Sequence, residues 1–147
     1  MPLSEDRHAT VRCVFCQTPN RVDLAKLANG PKCGECHRPI LLDRPLKVTQ
    51  DDFDQTLRGT TVPVAVDFYA DWCGPCHMMA PTVDEFANRH AGRALVLKLD
   101  TDANPAIAGR YGIRGIPTVI VFDQGAERGR HVGVADLKTL ETLAGVT

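Results

Sequence analysis

The six cysteines of this 147-residue chain form three Cys-x-x-Cys pairs. The pairs are Cys13/Cys16, Cys33/Cys36 and Cys73/Cys76. The first residues are polar and acidic, unlike a secretory signal, and no apolar run approaches the roughly 18 residues of a membrane-spanning helix. We therefore expect a cytoplasmic protein without a membrane partner. Thiols in the cytoplasm are kept reduced, so such pairs more often bind metals or carry out redox catalysis than form structural disulfides.

The chain divides into two parts near residue 45. Residues 1–45 hold four cysteines and little apolar periodicity, and a segment this short buries too little core to fold without a metal or disulfide. Residues 46–147 contain strand-like apolar runs that alternate with helical periodicity, which is typical of βαβ units and a mixed sheet. We predict a small metal-binding module, 1–45, followed by an α/β domain, 46–147.

The α/β domain has a predicted order of elements. The strand-like runs are 62–69, 94–99 and 118–122, and the predicted helices are 50–58, 73–89, 105–111 and 136–143. Thr49 and Asn104 are the predicted N-caps of the first and third helices. The turn at Asp123-Gln124-Gly125 predicts a hairpin that returns antiparallel as far as Gly133.

Charge is distributed unevenly between the two parts. The net charge is −1, yet residues 1–45 carry seven Lys/Arg against five Asp/Glu, whereas residues 46–147 carry ten against thirteen. One Zn²⁺ bound by four thiolates would add −2 to the first part and bring its charge to about zero. No basic segment then remains, and we expect no nucleic-acid partner.

The first two cysteine pairs have the spacing of a four-cysteine zinc site. Sixteen residues separate Cys16 from Cys33, which is within the range for such sites. Each pair binds the metal from a tight turn, and the two turns together supply a tetrahedron of soft ligands. Because no position is left for water or substrate, we predict one structural zinc per chain. Disulfides, free thiols, an iron–sulfur site and a ligand role for His37 remain alternatives.

The third pair, in Cys73-Gly74-Pro75-Cys76, lies between a predicted strand and a predicted helix. Free backbone N–H groups and the helix macrodipole favour the thiolate form of Cys73 there. We predict that Cys73 attacks a substrate disulfide and that Cys76 then attacks the mixed disulfide and releases the reduced substrate. Gly74 and Pro75 keep the turn small and stiff.

Two further residues are candidates for the same chemistry. Asp67 is an acid inside an apolar strand, six residues before Cys73, where burial raises its pKa. It is a candidate proton acceptor for Cys76, with Lys98 as its charge partner, although an acid at a strand bend can also simply reach solvent. The Ile116-Pro117 bond heads a strand and is a candidate cis peptide, even though most X–Pro bonds are trans.

Taken together, these residues strongly resemble the thioredoxin family. The resemblance rests on Val66-Asp67-Phe68-Tyr69-Ala70-Asp71-Trp72-Cys73-Gly74-Pro75-Cys76, Met79-Ala80-Pro81, Tyr111-Gly112-Ile113-Arg114-Gly115-Ile116-Pro117-Thr118 and Val132-Gly133. With four cysteines in front, the whole chain is similar to the zinc-containing thioredoxin 2 type. The resemblance implies a thioredoxin fold, a central mixed sheet flanked by helices, preceded by a zinc-ribbon-like module.

The resemblance also implies a function. The chain would reduce protein disulfides as a monomer and would receive electrons from NADPH through thioredoxin reductase, with no bound organic cofactor. Pro117 would be the cis-proline beside the disulfide and Asp67 the buried acid. The residues implied to hold the substrate backbone are Trp72, Gly74, Pro75, Ile116 and Gly133.

Two other functions remain open at this point. Oxidation of zinc thiolates releases metal, so the first module would suit a redox-responsive chaperone or adaptor. A disulfide isomerase or oxidase in an oxidising compartment is the second alternative, but Gly-Pro between the cysteines argues against it. His77 departs from the Lys or Arg that the family usually places after the second cysteine, and we hypothesise that it makes the charge beside the site pH-dependent.

Overall fold

The structure is a computed structural model that describes residues 7–147. Strands β1 (His8–Arg12) and β2 (Pro19–Asp23) form an antiparallel hairpin, followed by a 3₁₀ helix, Leu24–Asn29. The remaining elements are β3 (Leu46–Lys47), α1 (Phe53–Arg58), β4 (Val64–Tyr69), α2 (Gly74–Arg89), β5 (Leu95–Asp100), α3 (Pro105–Arg110), β6 (Thr118–Asp123), β7 (Ala126–Val132) and α4 (Leu137–Ala144).

The main sheet has five strands in the order β3-β5-β4-β6-β7. Strands β3 and β4 pair with β5 in parallel, whereas β6 is antiparallel to both β4 and β7. All six residues of β4 are buried, because helices cover both faces of the sheet. The mixed sheet flanked by helices confirms the predicted fold class.

Side chains alternate between two cores, one on each face of the sheet. Val66 and Phe68 pack with α1 and α3, whereas Ala65 packs with α2 and α4. This alternation follows from the period of two in a strand, which sends successive side chains to opposite faces. The core on the α1 face also contains Ala9 and Val11 of the N-terminal hairpin, so the two parts of the chain share apolar packing.

Two polar contacts fix the hairpin against the α/β part. The Arg12 Nε lies 3.4 Å from Asp52 Oδ2, and this carboxylate is almost fully buried. The Thr10 hydroxyl donates a hydrogen bond of 3.2 Å to the carbonyl of Gly59. The sequence pattern did not indicate this hairpin, because the alternation of Ala9 and Val11 spans only five residues.

The start of α1 differs from the prediction, and the predicted cap residue of α3 forms other hydrogen bonds than expected. Regular helix α1 begins at Phe53 rather than at residue 50, although the Thr49 hydroxyl accepts the predicted hydrogen bond from the Asp51 N–H. Helix α3 begins at Pro105, as predicted, with Asn104 at the N-cap position, but the Asn104 side chain forms no capping hydrogen bond. This buried side chain accepts from the Gln50 N–H at 2.9 Å and donates to the Asp100 carbonyl, so the amide joins two segments instead of capping α3.

Gly59 marks the closest approach of β1 to α1. A Cβ at this position would overlap the side chain of Thr10. We expect Gly59→Ala to lower the free energy of unfolding by about 1–3 kcal/mol, because the hairpin is packed in place and cannot move away from the added methyl group. Urea denaturation followed by circular dichroism measures this change.

The matched control is Gly109→Ala in α3, where a Cβ would meet open space. We expect this control to be neutral or slightly stabilising, because alanine is the better helix former. Equal destabilisation by both substitutions would contradict the packing argument.

Candidate functional site

The redox pair lies where β4 leads into α2. Cys73 is the N-cap residue of α2 and forms a disulfide with Cys76, one turn further into the helix. The Cys73 sulfur also accepts a hydrogen bond of 3.1 Å from the Cys76 backbone N–H. Free N–H groups at a helix N-terminus stabilise negative charge, so a thiolate is favoured at Cys73 when the disulfide is reduced.

The segment before β6 lies against this disulfide. The Ile116–Pro117 peptide bond is cis, and the Ile116 carbonyl oxygen lies 3.8 Å from the Cys73 sulfur. The Pro117 carbonyl accepts a hydrogen bond of 2.8 Å from the Gly133 N–H. The structure therefore brings Ile116, Pro117 and Gly133 together beside Cys73.

Exposed residues surround the nearly buried sulfurs. Trp72 is 72% exposed, although its indole N–H donates a hydrogen bond of 2.8 Å to Asp102 Oδ2. Gly74 and Pro75 are exposed as well. An exposed apolar side chain beside a reactive bond suits a surface that a partner covers. Asp102 is a residue that the sequence reasoning missed, and its place in the turn after β5 offered no clear signal.

Asp67 is buried in the middle of β4, with 3% of its surface exposed. Burial raises the pKa of its carboxyl to about 6; the charge of Lys98 opposes the shift and that of Asp84 adds to it. Among residues 7–147, Oδ1 of Asp67 has no hydrogen-bond partner. Lys98 is the register partner of Asp67 on β5, but its ammonium lies 4.6 Å from the centre of the Tyr69 ring. The buried carboxyl can therefore exchange a proton near pH 6.

A small cavity of about 120 Å³ adjoins Cys76. Tyr69, His77 and Lys98 contribute to its walls. The His77 ring is held by a contact of 2.6 Å between Nε2 and the Asp71 carbonyl oxygen. The cavity has polar walls and the volume to hold water beside Cys76.

The other four cysteines meet at the turn that connects β1 to β2, where Cys13 and Cys16 lie. Their sulfurs all lie within 4.8 Å of one another, and the closest pairs are Cys13/Cys36 at 3.7 Å and Cys16/Cys33 at 3.6 Å. A tetrahedron with Zn–S bonds of about 2.3 Å has edges of about 3.8 Å. The sulfur positions therefore fit a tetrahedral zinc ion.

Backbone hydrogen bonds lower the pKa of the Cys13 and Cys33 thiols, which favours their thiolates. A backbone hydrogen bond at Arg38 also lowers the pKa of Cys36, but burial and the neighbouring cysteines outweigh it and raise that pKa to about 11. Phe15 N–H and Glu35 N–H point at the sulfurs of Cys13 and Cys33, each at 3.4 Å. Hydrogen bonds from the Cys36 backbone N–H and then the Asn20 amide lower the pKa of the Cys33 thiol to about 6. Thiolates are the form that binds metal.

The two cysteine turns have the same backbone design. Gln17 and His37 each follow the second cysteine of a pair, and their φ angles are 68° and 65°. Each donates its backbone N–H, at 2.9 Å, to the carbonyl of the first cysteine of its pair. Within the described range the potential metal ligands are the four cysteines alone, so the geometry gives His37 no ligand role.

No helix within residues 7–147 has both the length and the apolar character needed to cross a bilayer.

Comparisons with known proteins cover both parts of the chain. Residues 44–144 match the thioredoxin family, and residues 12–38 match a family described as the N-terminal part of thioredoxin 2. Thioredoxin C-3 of Corynebacterium nephridii is 36% identical over 129 residues, which are 88% of this chain and 87% of that protein. Thioredoxin 1 of Nostoc sp. is 47% identical over 94 residues, 64% of this chain and 88% of that protein.

A solved structure agrees with these matches. A mutant thioredoxin from Halobacterium salinarum superposes with a TM-score of 0.65 at 37% identity, over 74% of this chain and 97% of that one. The predicted resemblance is therefore confirmed. With its Cys73/Cys76 disulfide at the start of a helix, this chain belongs to the thioredoxin family, carries the zinc-ribbon module of the thioredoxin 2 type, and is a thiol–disulfide oxidoreductase that reduces protein disulfides.

Proposed function

We propose that Cys73 is the attacking thiolate and that Cys76 resolves the mixed disulfide. The observation that carries this assignment is the position of Cys73 at the N-cap of α2, where its sulfur accepts the Cys76 N–H. The Cys73 thiolate bonds to one substrate sulfur and releases the other as a thiolate. Cys76 then bonds to the Cys73 sulfur and releases the first substrate sulfur. Two electrons pass to the substrate, and the chain is left with the Cys73/Cys76 disulfide.

Asp67 takes the proton of the Cys76 thiol in this scheme. Its unpaired Oδ1 and its raised pKa suit a group that accepts and returns a proton near neutral pH. The cavity beside Cys76 is lined by Lys98, the register partner of Asp67, and has room for a water on the Cys76 side of the proton path. Lys98 stabilises the ionised carboxylate electrostatically.

The substrate backbone lies along the residues that surround Cys73. Pro117 belongs to the catalytic site in this scheme, because it directly follows Ile116, whose carbonyl oxygen lies 3.8 Å from the Cys73 sulfur. The proposed binding surface consists of Trp72, Gly74, Pro75, Ile116 and Gly133. The exposure of Trp72 and the bond between Gly133 and Pro117 support this surface.

The four remaining cysteines hold one structural zinc per chain. Cys13, Cys16, Cys33 and Cys36 fit a tetrahedral ion. When bound, zinc supplies a cross-link between the two cysteine turns and leaves no coordination position for a substrate. The module would then cover 1–45 and the redox domain 46–147; separate family matches to residues 12–38 and 44–144 support a division of the chain into two parts.

Thioredoxin reductase with NADPH is the proposed electron source, since thioredoxins in general work with this enzyme. We place the protein in the cytoplasm as a monomer whose partners are oxidised proteins rather than nucleic acids. The net charge of −1 supports the exclusion of nucleic acid.

The test is the reduction of insulin by NADPH and thioredoxin reductase, with wild type and Asp67→Asn compared between pH 5 and 8. The wild-type rate of mixed-disulfide resolution should rise as the pH passes about 6, the pKa of Asp67. In Asp67→Asn this rise should be absent, and the rate at pH 7 should fall on the order of 100-fold, because the proton acceptor is missing. Identical pH profiles would remove Asp67 from the mechanism, and inactive wild-type protein would contradict the function.

Asp67→Asn should raise the stability of the folded protein, although it lowers the rate of disulfide reduction. Asp67 has a folded-state pKa of about 6, above its ordinary 3.8, so the folded protein holds the proton more tightly than the unfolded chain does. The contribution of Asp67 to stability is then fully present below about pH 4 and is lost as the pH rises through about 6. We expect the oxidised form of Asp67→Asn to be more stable than wild type at pH 7 by up to about 3 kcal/mol.

A further inference from the structure

A groove of about 590 Å³ lies between the first cysteine turn and β3. Val14 and Phe15, at the tip of that turn, form one wall, and Leu41 and Leu46 contribute to the other. Val14, Phe15 and Leu41 are 60%, 54% and 47% exposed. A concave surface that leaves three apolar side chains in water suits a docking site for a partner segment.

The rim of this groove is positively charged. Its acidic lining residue, Asp52, already pairs with Arg12 at 3.4 Å. Arg38 extends the rim by stacking on Phe15, with its guanidinium carbon 4.8 Å from the ring centre. In the part of the chain that the structure describes, neither Arg38 nor Lys47 forms an ion pair with a carboxylate. The rim therefore favours an occupant that carries carboxylates.

The floor of the groove includes the free edge of the main sheet. Strand β3 is the outermost strand beside β5, and the Val48 N–H donates to the Lys98 carbonyl at 3.0 Å. Because backbone groups alternate in direction along a strand, the N–H and C=O of Lys47 point away from β5. An extended segment can pair with these groups as an added strand.

The groove continues toward the redox site. Lys47 lines both the groove and the small cavity beside Cys76. Parallel strands β3 and β4 end at the same edge of the sheet, which is the edge that holds Cys73. From β3 to β6 there are three strand spacings, about 14 Å in all. An extended chain crosses that distance in about four or five residues.

We propose that this groove binds an extended segment of the oxidised protein substrate in which apolar and acidic side chains alternate. The apolar side chains pack between Phe15 and Leu41, and the carboxylates face Lys47 and Arg38. The substrate disulfide lies a few residues away, at Cys73. The inference rests on the proposed function, since it extends the same substrate site across the sheet.

The test uses peptides that share one small disulfide loop and differ in a tail of about eight residues. The tail alternates Leu with Glu, alternates Leu with Lys, or is absent, and it is placed on either side of the loop. We expect the Leu/Glu tail to lower KM about 10-fold relative to the tail-less peptide at unchanged kcat. The Leu/Lys tail should lower KM less, because the rim repels it.

Two variants test whether the groove residues cause the change in KM. Phe15→Ser with Leu41→Ser should abolish the KM advantage of both tails, and Lys47→Glu should reverse the preference between Glu and Lys. The matched control is Lys32→Glu, which makes the same charge change at an exposed lysine that does not line the groove. Zinc content should stay at wild-type levels in all of these proteins, and turnover of the tail-less peptide should stay at wild-type levels in the Phe15/Leu41 and Lys32 variants. Lys47→Glu is compared by the ratio of its KM values for the two tails, because Lys47 also lines the cavity beside Cys76.

A second readout is independent of turnover. The Leu/Glu tail alone, without cysteines and with a fluorescent label, should bind wild type and lose about 10-fold in affinity in the Phe15/Leu41 variant. Equal affinity and equal KM values across the variants would overturn the inference. A concentration-dependent dimer that the same variant dissociates would also overturn it, since a second copy would then occupy the groove. Failure of the proposed function would look different: wild type would bind the tail but would not reduce the tail-less peptide.

Discussion

Cys73→Ser should abolish disulfide reduction, with a loss of at least roughly 10³-fold in the insulin assay. A serine hydroxyl is not ionised near neutral pH and cannot attack a disulfide in place of the thiolate. Cys76→Ser should behave differently, because Cys73 at the start of α2 still attacks. The variant should stop after one step and accumulate a mixed disulfide between Cys73 and the substrate.

Mass spectrometry of the two single variants after mixing with an oxidised substrate measures this difference. We expect a covalent adduct with Cys76→Ser and none with Cys73→Ser. An adduct of equal yield on Cys76 in the Cys73→Ser protein would contradict the assignment of roles. The four N-terminal cysteines are unchanged in both variants, so they serve as an internal control for nonspecific thiol exchange.

Removal of one zinc ligand should unfold the cysteine turns of the N-terminal module. We expect this loss of structure to be confined to that module. Cys33→Ser removes one of four ligands, and structural zinc contributes on the order of 10 kcal/mol to small zinc-dependent folds. The turns around the cysteines should then unfold, because little else holds them. Hydrogen exchange should show lost protection for the backbone N–H groups of Cys13, Gln17, Cys33 and His37, all of which form hydrogen bonds within the turns.

His37→Ala is the matched control for this experiment. It should keep one zinc per chain, because the sulfurs of the four cysteines form the site without the imidazole. Reduction of a small disulfide should persist in Cys33→Ser, since Cys73 and Cys76 lie on a different part of the fold. Zinc at wild-type content in Cys33→Ser would contradict the proposed site, as would loss of zinc in His37→Ala.

The sequence predicted the parts of the fold that depend on local patterns. The apolar run of β4, the Cys-Gly-Pro-Cys turn and the amphipathic helix α2 follow one another within 26 residues, 64–89, and each has its own periodicity or cap. The start of α4 was also predicted to within one residue, and there the Asp136 side chain accepts the Thr139 N–H at 2.8 Å. Periodicity and capping act between neighbours in the chain, so one sequence is enough to reveal them.

The contacts that escaped prediction join residues far apart in the chain. Asn104 has the residue type of a helix cap, but tertiary packing directs its amide to Gln50 instead. The Trp72–Asp102 hydrogen bond and the Arg12–Asp52 ion pair likewise depend on the tertiary fold, because each joins residues at least 30 positions apart in the chain. The apolar neighbours of Asp67 in the sequence predict that its pKa is raised. The size of the shift depends on how completely the helices cover β4.

The position of Trp72 makes it an intrinsic fluorescence probe of the redox site. It is the single tryptophan in the chain, it adjoins the reactive disulfide, and Asp102 fixes the orientation of its indole. With excitation at wavelengths that tyrosine does not absorb, the protein's fluorescence therefore originates from this one ring. Opening of the disulfide and arrival of a substrate both alter the surroundings of the indole, so each step of the cycle can be timed without an added label.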